Sequence, residues 1–202
     1  MPGLPPPAAD ERQSLLEFIA FQQNAFFSVA FGLTDEQARS TPSVSALSIG
    51  GLIKHATNVQ KGWVDRVSAA PDFPPRDDRP MDEIMAEYAD QYVMREDETL
   101  DQLLDAMREQ SAETLRILAE AELTTLVPVP HEVPWFPQDL DHWNVRWVAL
   151  HLIEELTRHA GHADIIRESI DGATMYELMA AKEEWPETDF IKRWRPREQA
   201  TT

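Results

Sequence analysis

The chain has 202 residues, 43% of them hydrophobic, with no cysteine and a formal net charge of -18. That length carries one sizeable core, the missing cysteines exclude disulfides, thiolate nucleophiles and sulfur-ligated zinc, and the acidic charge argues against nucleic acid as a partner. No run of about eighteen apolar residues is present to cross a membrane, and MPGLPPPAADERQ lacks the basic start and apolar stretch of a secretory signal, so the expected location is cytoplasmic.

In chain order, apolar spacings of three and four dominate and strand-like alternation is nearly absent, so the pattern reads as all-α. A first helix is expected from about Asp10 to Phe31, carrying Leu15, Leu16, Ile19, Phe27 and Val29, with Gly32 as its stop. Ser48 is the expected N-cap of a second helix bearing Leu52, His55, Val59, Trp63 and Val67. PDFPPRDDRP then breaks the pattern, and an acidic helix from about Met81 to Met94 leads into a longer one near Leu100 to Leu123, with Leu103, Leu104, Met107, Leu115, Ile117 and Leu118. The acid between Asp72 and Glu109 reads as a solvated helix face and polar connections.

LVPVPHEVPWFPQDLDH is too rich in proline and acid for a fifth helix and reads as a long ordered loop, a form that often serves as a lid. The last major helix is expected from about Asn144 to Ile170, ending before Asp171-Gly172. After it come one short helix and a tryptophan-containing tail that packs on the body or on a partner, with a basic cluster at Lys192, Arg193, Arg195 and Arg197. Four substantial helices point to a bundle, a fold whose core commonly holds metal sites built from facing helices.

The last long helix contains HLIEELTRHAGHAD, residues 151 to 164, which places His151, Glu155, His159 and His162 at intervals of four, four and three. Residues three or four apart share a helix face, and at about 100° per residue Glu155 and His159 fall within the arc of Val148 and Ile166. His151 and His162 lie toward its edge beside Arg158. An ionised carboxylate in an apolar stripe costs several kcal/mol (roughly) unless a cation faces it. His151 and His159 are roughly 12 Å apart along the axis, too far to share one small ion, so this helix offers one neighbouring pair, Glu155 and His159. His55, on the inward face marked by Leu52, Val59 and Trp63, supplies a third ligand. Two imidazoles and a carboxylate leave a zinc coordination position open to water or substrate, as catalytic zinc requires; iron, nickel and manganese accept the same donors. Spacing alone also permits a second account, an Arg158–Glu155 ion pair within a histidine hydrogen-bond network. His131 and His142 read as loop surface or lid.

The stretches LSIGGLIKHATNVQKGW and RWVALHLIEELTRHAGHADIIRESIDG, within a region from about Glu11 to Asp171, resemble the DinB-like superfamily of four-helix metal-binding proteins. The closer resemblance is to its actinobacterial branch related to the N-terminal domain of mycothiol-dependent maleylpyruvate isomerase. The resemblance implies an up-down-down-up bundle over residues 1–172, with 173–202 as a C-terminal extension, and a metal held by His55, Glu155 and His159. Many DinB-like proteins have histidine where this chain has Glu155, whereas the isomerase branch has glutamate. It further implies that the metal binds a low-molecular-weight thiol, mycothiol in an actinobacterial source, and primes its sulfur for transfer to an electrophilic small molecule, as in detoxification. Isomerisation of maleylpyruvate itself is not expected, because that enzyme type carries a separate C-terminal domain and about thirty residues follow Gly172.

Around this site, His151 and Arg158 are the candidate catalytic residues, His151 as a general base. Arg158, His162, Asp164 and Trp63 are candidate contacts to the bound thiol, and Pro134 to Phe136 of the loop are candidate pocket walls. The competing function class is a non-catalytic metal-binding or interaction protein, a homodimer for instance, whose ion holds the bundle together. A metal-dependent hydrolase fits less well, for want of a second carboxylate placed as base.

Overall fold

The computed structural model describes residues 3–133 and 135–196, so Pro134 of the loop and Arg197 of the basic cluster lie outside the described residues. Its elements are α1 (Glu11–Val29), α2 (Asp35–Arg39), α3 (Ile49–Ala69), α4 (Met81–Asp90), α5 (Leu100–Glu120), β1 (Leu126–Pro128), β2 (His142–Asn144), α6 (Val145–Asp171) and α7 (Met175–Lys182).

Local chemistry sets the ends of the long helices. The side chains of Asp10, Ser48, Thr99 and Asn144 accept the backbone N–H of Gln13, Gly51, Gln102 and Trp147, each satisfying a donor that the first helical turn leaves open. Thr99 and Gln102 close a reciprocal capping box. Gly172, at φ 78°, ends α6 in the left-handed conformation that glycine adopts without steric penalty.

Contacts between side chains give the directions of the four long helices. Glu11 meets Arg146 at the starts of α1 and α6, and Arg167 reaches Val29 near their ends, so these two run parallel. Arg12 donates to the carbonyls of Leu118 and Ala119, so α1 and α5 are antiparallel. His55 meets Glu155 while Trp63, two turns on, meets His151, so α3 and α6 are antiparallel. The bundle is therefore up-down-down-up, with α1 against α5 and α6, and α3 against α5 and α6. Its core is filled by Ile19, Phe26, Ile49, Leu52, Ile53, Met107, Leu118, Val148, Leu152, Leu156 and Ile166, all essentially inaccessible to water. One buried amide pair interrupts it: Gln23 Nε2 donates to Gln60 Oε1 at 2.6 Å, and Gln60 Nε2 donates to the Ala56 carbonyl.

Because α3 and α5 run the same way, the chain must return along the bundle between them, and it does so through α4. The acidic helix is shorter than its pattern suggests, ending at Asp90. Residues 91–95 leave it to lie on α3, where a Cβ on Gly51 would stand 2.1 Å from the Tyr92 carbonyl oxygen and one on Gly50 would strike Met94. The glycine pair is thus a close-approach site. The long loop contains no helix among its described residues, but its base is a short antiparallel ribbon, with Val127 opposite Trp143 and Pro128 opposite His142. Three-residue strands carrying a proline leave no alternating pattern to read. The ribbon buries Trp143. Beyond Gly172, α7 packs on α1, and the tail brings Trp194 onto Phe31 and the Arg167 guanidinium.

Candidate metal centre

His55 enters the bundle from α3, and Glu155 and His159 enter one turn apart from α6. Oε1 of Glu155 lies 3.3 Å from His55 Nε2 and 3.1 Å from His159 Nε2, and one ligand atom from each residue falls within 4.8 Å of the others. The hydrogen bond from His159, then that from His55, holds the Glu155 carboxyl well below the usual carboxylate range against the opposing effect of burial. His55 is nearly inaccessible, its ring stacked at 4.2 Å on Tyr92 and edge-on to His159 at 4.6 Å. The glycine pair of α3 thus has a consequence at the site, because the backbone it admits carries the ring that covers His55.

Among the described residues, Arg158 does not pair with Glu155. Arg158 is 78% exposed and turns to Glu154, at 3.7 Å; the groups that meet Glu155 are the two imidazoles. The donor set suits a divalent cation: around a tetrahedral zinc, ligand atoms stand about 3.4 Å apart, close to the two separations between Glu155 and the histidines. His55 Nδ1 is buried with no hydrogen-bond partner among the described residues.

His151, one turn before Glu155, belongs to a separate arrangement of rings. It stacks on Trp147 at 5.1 Å, and Trp147 stacks on Trp143 at 4.9 Å, so three rings form a ladder along the start of α6. Trp63 stands edge-on to both ends, 4.8 Å from His151 and 5.2 Å from Trp143, with Phe136 of the long loop behind it. His151 Nδ1 lies 3.4 Å from Glu154 Oε2. Trp135, next in the loop, reaches Tyr88 of α4, so the loop leans on both aromatic groups.

The remaining candidates fall elsewhere. His162 is half-buried and makes no hydrogen bond, ion pair or ring contact among the described residues. Asp164, nine residues and thus half a rotation beyond Glu155, turns to the opposite face of α6, where it lines a cavity with residues of α1 and α7. Tyr92, Trp143, Trp147 and Glu154 were not among the candidates from sequence. Trp143 and Trp147 precede His151 by eight and four residues, a one-face spacing that could have found them; Tyr92 leaves no such signal.

The structure is similar to that of a conserved protein from Enterococcus faecalis, with a TM-score of 0.55 and 16% identity over 82% of this chain and all of that one. That degree of likeness establishes a shared fold. No curated protein matches the chain. The family model for mycothiol-S-transferase matches residues 14–172, which span α1 to α6 and hold both halves of the triad. The chain belongs to this DinB-like family, the mycothiol-S-transferases.

Proposed function

We propose that this protein transfers the sulfur of a low-molecular-weight thiol, mycothiol, to an electrophilic small molecule, with a divalent cation, zinc first among the candidates, held by His55, Glu155 and His159. The observation that carries the reading is the convergence of two imidazoles and one carboxylate, from two helices, with no Lys or Arg side chain paired to the carboxylate among the described residues. A cation there supplies positive charge that favours the thiolate form of a bound thiol at neutral pH. The chain contributes no thiol of its own, in keeping with an external one.

The chain's residues have distinct tasks. Glu155 and His159 share one helical turn, so their spacing is fixed by α6, and Tyr92 fixes the plane of His55. His151 accepts the thiol proton at Nε2: its ring is held by Trp147 and Trp63, and its Nδ1 is turned to the Glu154 carboxylate, which orients the ring. The thiolate sulfur forms the new carbon–sulfur bond, and the leaving group departs with its electron pair; with a conjugated acceptor, the proton on His151 returns to carbon instead. The indoles and Phe136 shield this side of the site from water.

The test is elemental analysis of untagged protein purified without chelator, in wild type and His159→Ala, followed by thiol-transfer assays with mycothiol. We expect about one divalent ion per chain, lost in the variant together with turnover. Bound metal that raises the melting temperature, with no turnover for any electrophile, would favour the structural role of the ion and overturn the transferase.

A further inference from the structure

A second place on α6 has the makings of a binding site. Between α1, α6 and α7 lies a cavity of about 220 Å³, lined by Phe21, Ala25, Ala160, Gly161, Met175 and Met179 among others, with Asp164 as its acidic group. Gln22, Asn24, Ser28 and Thr157 complete its lining, so the cavity joins apolar wall to hydrogen-bonding groups as small-molecule sites do, and its volume exceeds the roughly 150 Å³ that accepts benzene.

Asp164 has no hydrogen-bond or ion-pair partner among the described residues. Burial, and to a lesser degree Glu168 one turn on, lifts its carboxyl to about 6. Lys182 of α7 is engaged with α1: its Nζ donates to Asn24 Oδ1 at 2.6 Å and lies over the Phe27 ring. That same bond ties α7 to α1, so the cavity is bounded by a docked helix.

Gly161 adds an independent observation. It sits in the interior of α6, where glycine weakens a helix, and no atom lies within 4 Å of where its Cβ would be. Close packing therefore does not explain it. Gly161 lines the cavity and is itself exposed, so a larger side chain there would stand in open space at the cavity's edge.

We propose that this cavity is a ligand site separate from the metal centre, taking a small apolar molecule that carries one cationic amine, with the amine paired to Asp164 and the apolar body among Phe21, Ala25 and the two methionines. The carboxylate supplies the charge complement and the size of the cavity limits the ligand to a ring with a short arm.

Benzylamine is the probe, with toluene as its uncharged counterpart, each titrated to millimolar concentration into the full-length ¹⁵N-labelled protein at pH 7. Benzylamine should shift the amides of Ala25, Ala160, Gly161 and Met175 saturably, and Asp164→Asn should weaken it roughly tenfold or more while leaving toluene unchanged. Gly161→Leu, which favours the helix, should abolish binding of both probes with the far-ultraviolet circular dichroism retained. His159→Ala should leave benzylamine binding intact, so failure of the metal reading and failure of this one are separable. Equal affinity of benzylamine for wild type and Asp164→Asn, shifts centred on His55 and His159, or no saturable shift at all would each overturn the proposal.

Discussion

Replacing Arg167 by Met tests how the base of the bundle is held. Arg167 is completely buried near the end of α6. Its Nη1 donates to the carbonyls of Val29 and Phe31, at 2.6 and 2.8 Å, answering acceptors that the end of α1 leaves open. Its Nε and Nη2 grip Asp171 at 2.9–3.1 Å, and Trp194 of the tail covers the guanidinium at 4.8 Å. Burial opposes ionisation of Asp171, yet Arg167 and the Ala173 N–H hold its carboxyl below the ordinary range. Methionine fills much of the volume but leaves two carbonyls and a poorly solvated carboxylate without their donor. Breaking one side of a buried pair costs about 3–5 kcal/mol, and a chain of this size loses roughly 2–4 °C per kcal/mol. The melting temperature followed by circular dichroism should therefore fall by roughly 6–20 °C. Arg167 is about 12 Å along the helix axis from His159, so metal content of the folded variant should match wild type. A fall in stability of less than about 1 kcal/mol would refute the reasoning, since surface changes do as much.

Two further outcomes follow. Gly51→Ala sets a Cβ against the Tyr92 carbonyl, and backbone there has little room to yield; we expect a loss of about 1–3 kcal/mol from overpacking, with weaker metal binding because Tyr92 is displaced from His55, read by denaturant unfolding and metal titration. Asp164 has a folded-state value of about 6 against an ordinary 3.8, so between these values the folded chain holds the proton more tightly, and stability falls as pH rises through that window. Asp164→Asn should remove this fall and stabilise the protein at pH 7 by on the order of 2 kcal/mol, measured by urea unfolding at pH 4, 5, 6 and 7; an unchanged pH profile would show that the carboxylate is solvated after all.

The helices were legible because each long one carries both an apolar period and an end signal in its own residues: Ser48 caps α3, Asn144 caps α6, and Gly172 stops α6. The triad was legible for the same reason, since Glu155 and His159 are one turn apart on a face shared with Val148 and Ile166. What stayed hidden depends on chain segments remote in sequence. Tyr92 reaches His55 because α4 stops at Asp90 and a glycine pair forty residues earlier lets the backbone settle on α3; neither fact shows in the residues around Tyr92. Asp164 was placed beside the triad as a flank of the ligand stripe, but a helix turns roughly 100° per residue, and nine residues carry it from Glu155 to the opposite side; Arg158, three residues from Glu155, turns outward to Glu154 instead.

The buried Gln23–Gln60 pair, set beside the triad, shows why the triad calls for a chemical explanation. Gln23 and Gln60 are neutral, and their bond joins α1 to α3 without placing a charge in the core. Such a pair fixes register at modest cost. Glu155 is different in kind: it is held ionised between imidazoles. Apolar side chains of similar volume at these three positions would serve packing equally well, because buried ionic groups are weak stabilisers once desolvation is counted. Stability alone therefore gives no reason to keep this arrangement. A divalent cation would, since it would neutralise the carboxylate together with the same two nitrogens that now meet it, and the imidazole that Tyr92 covers would be a ligand held in a single plane.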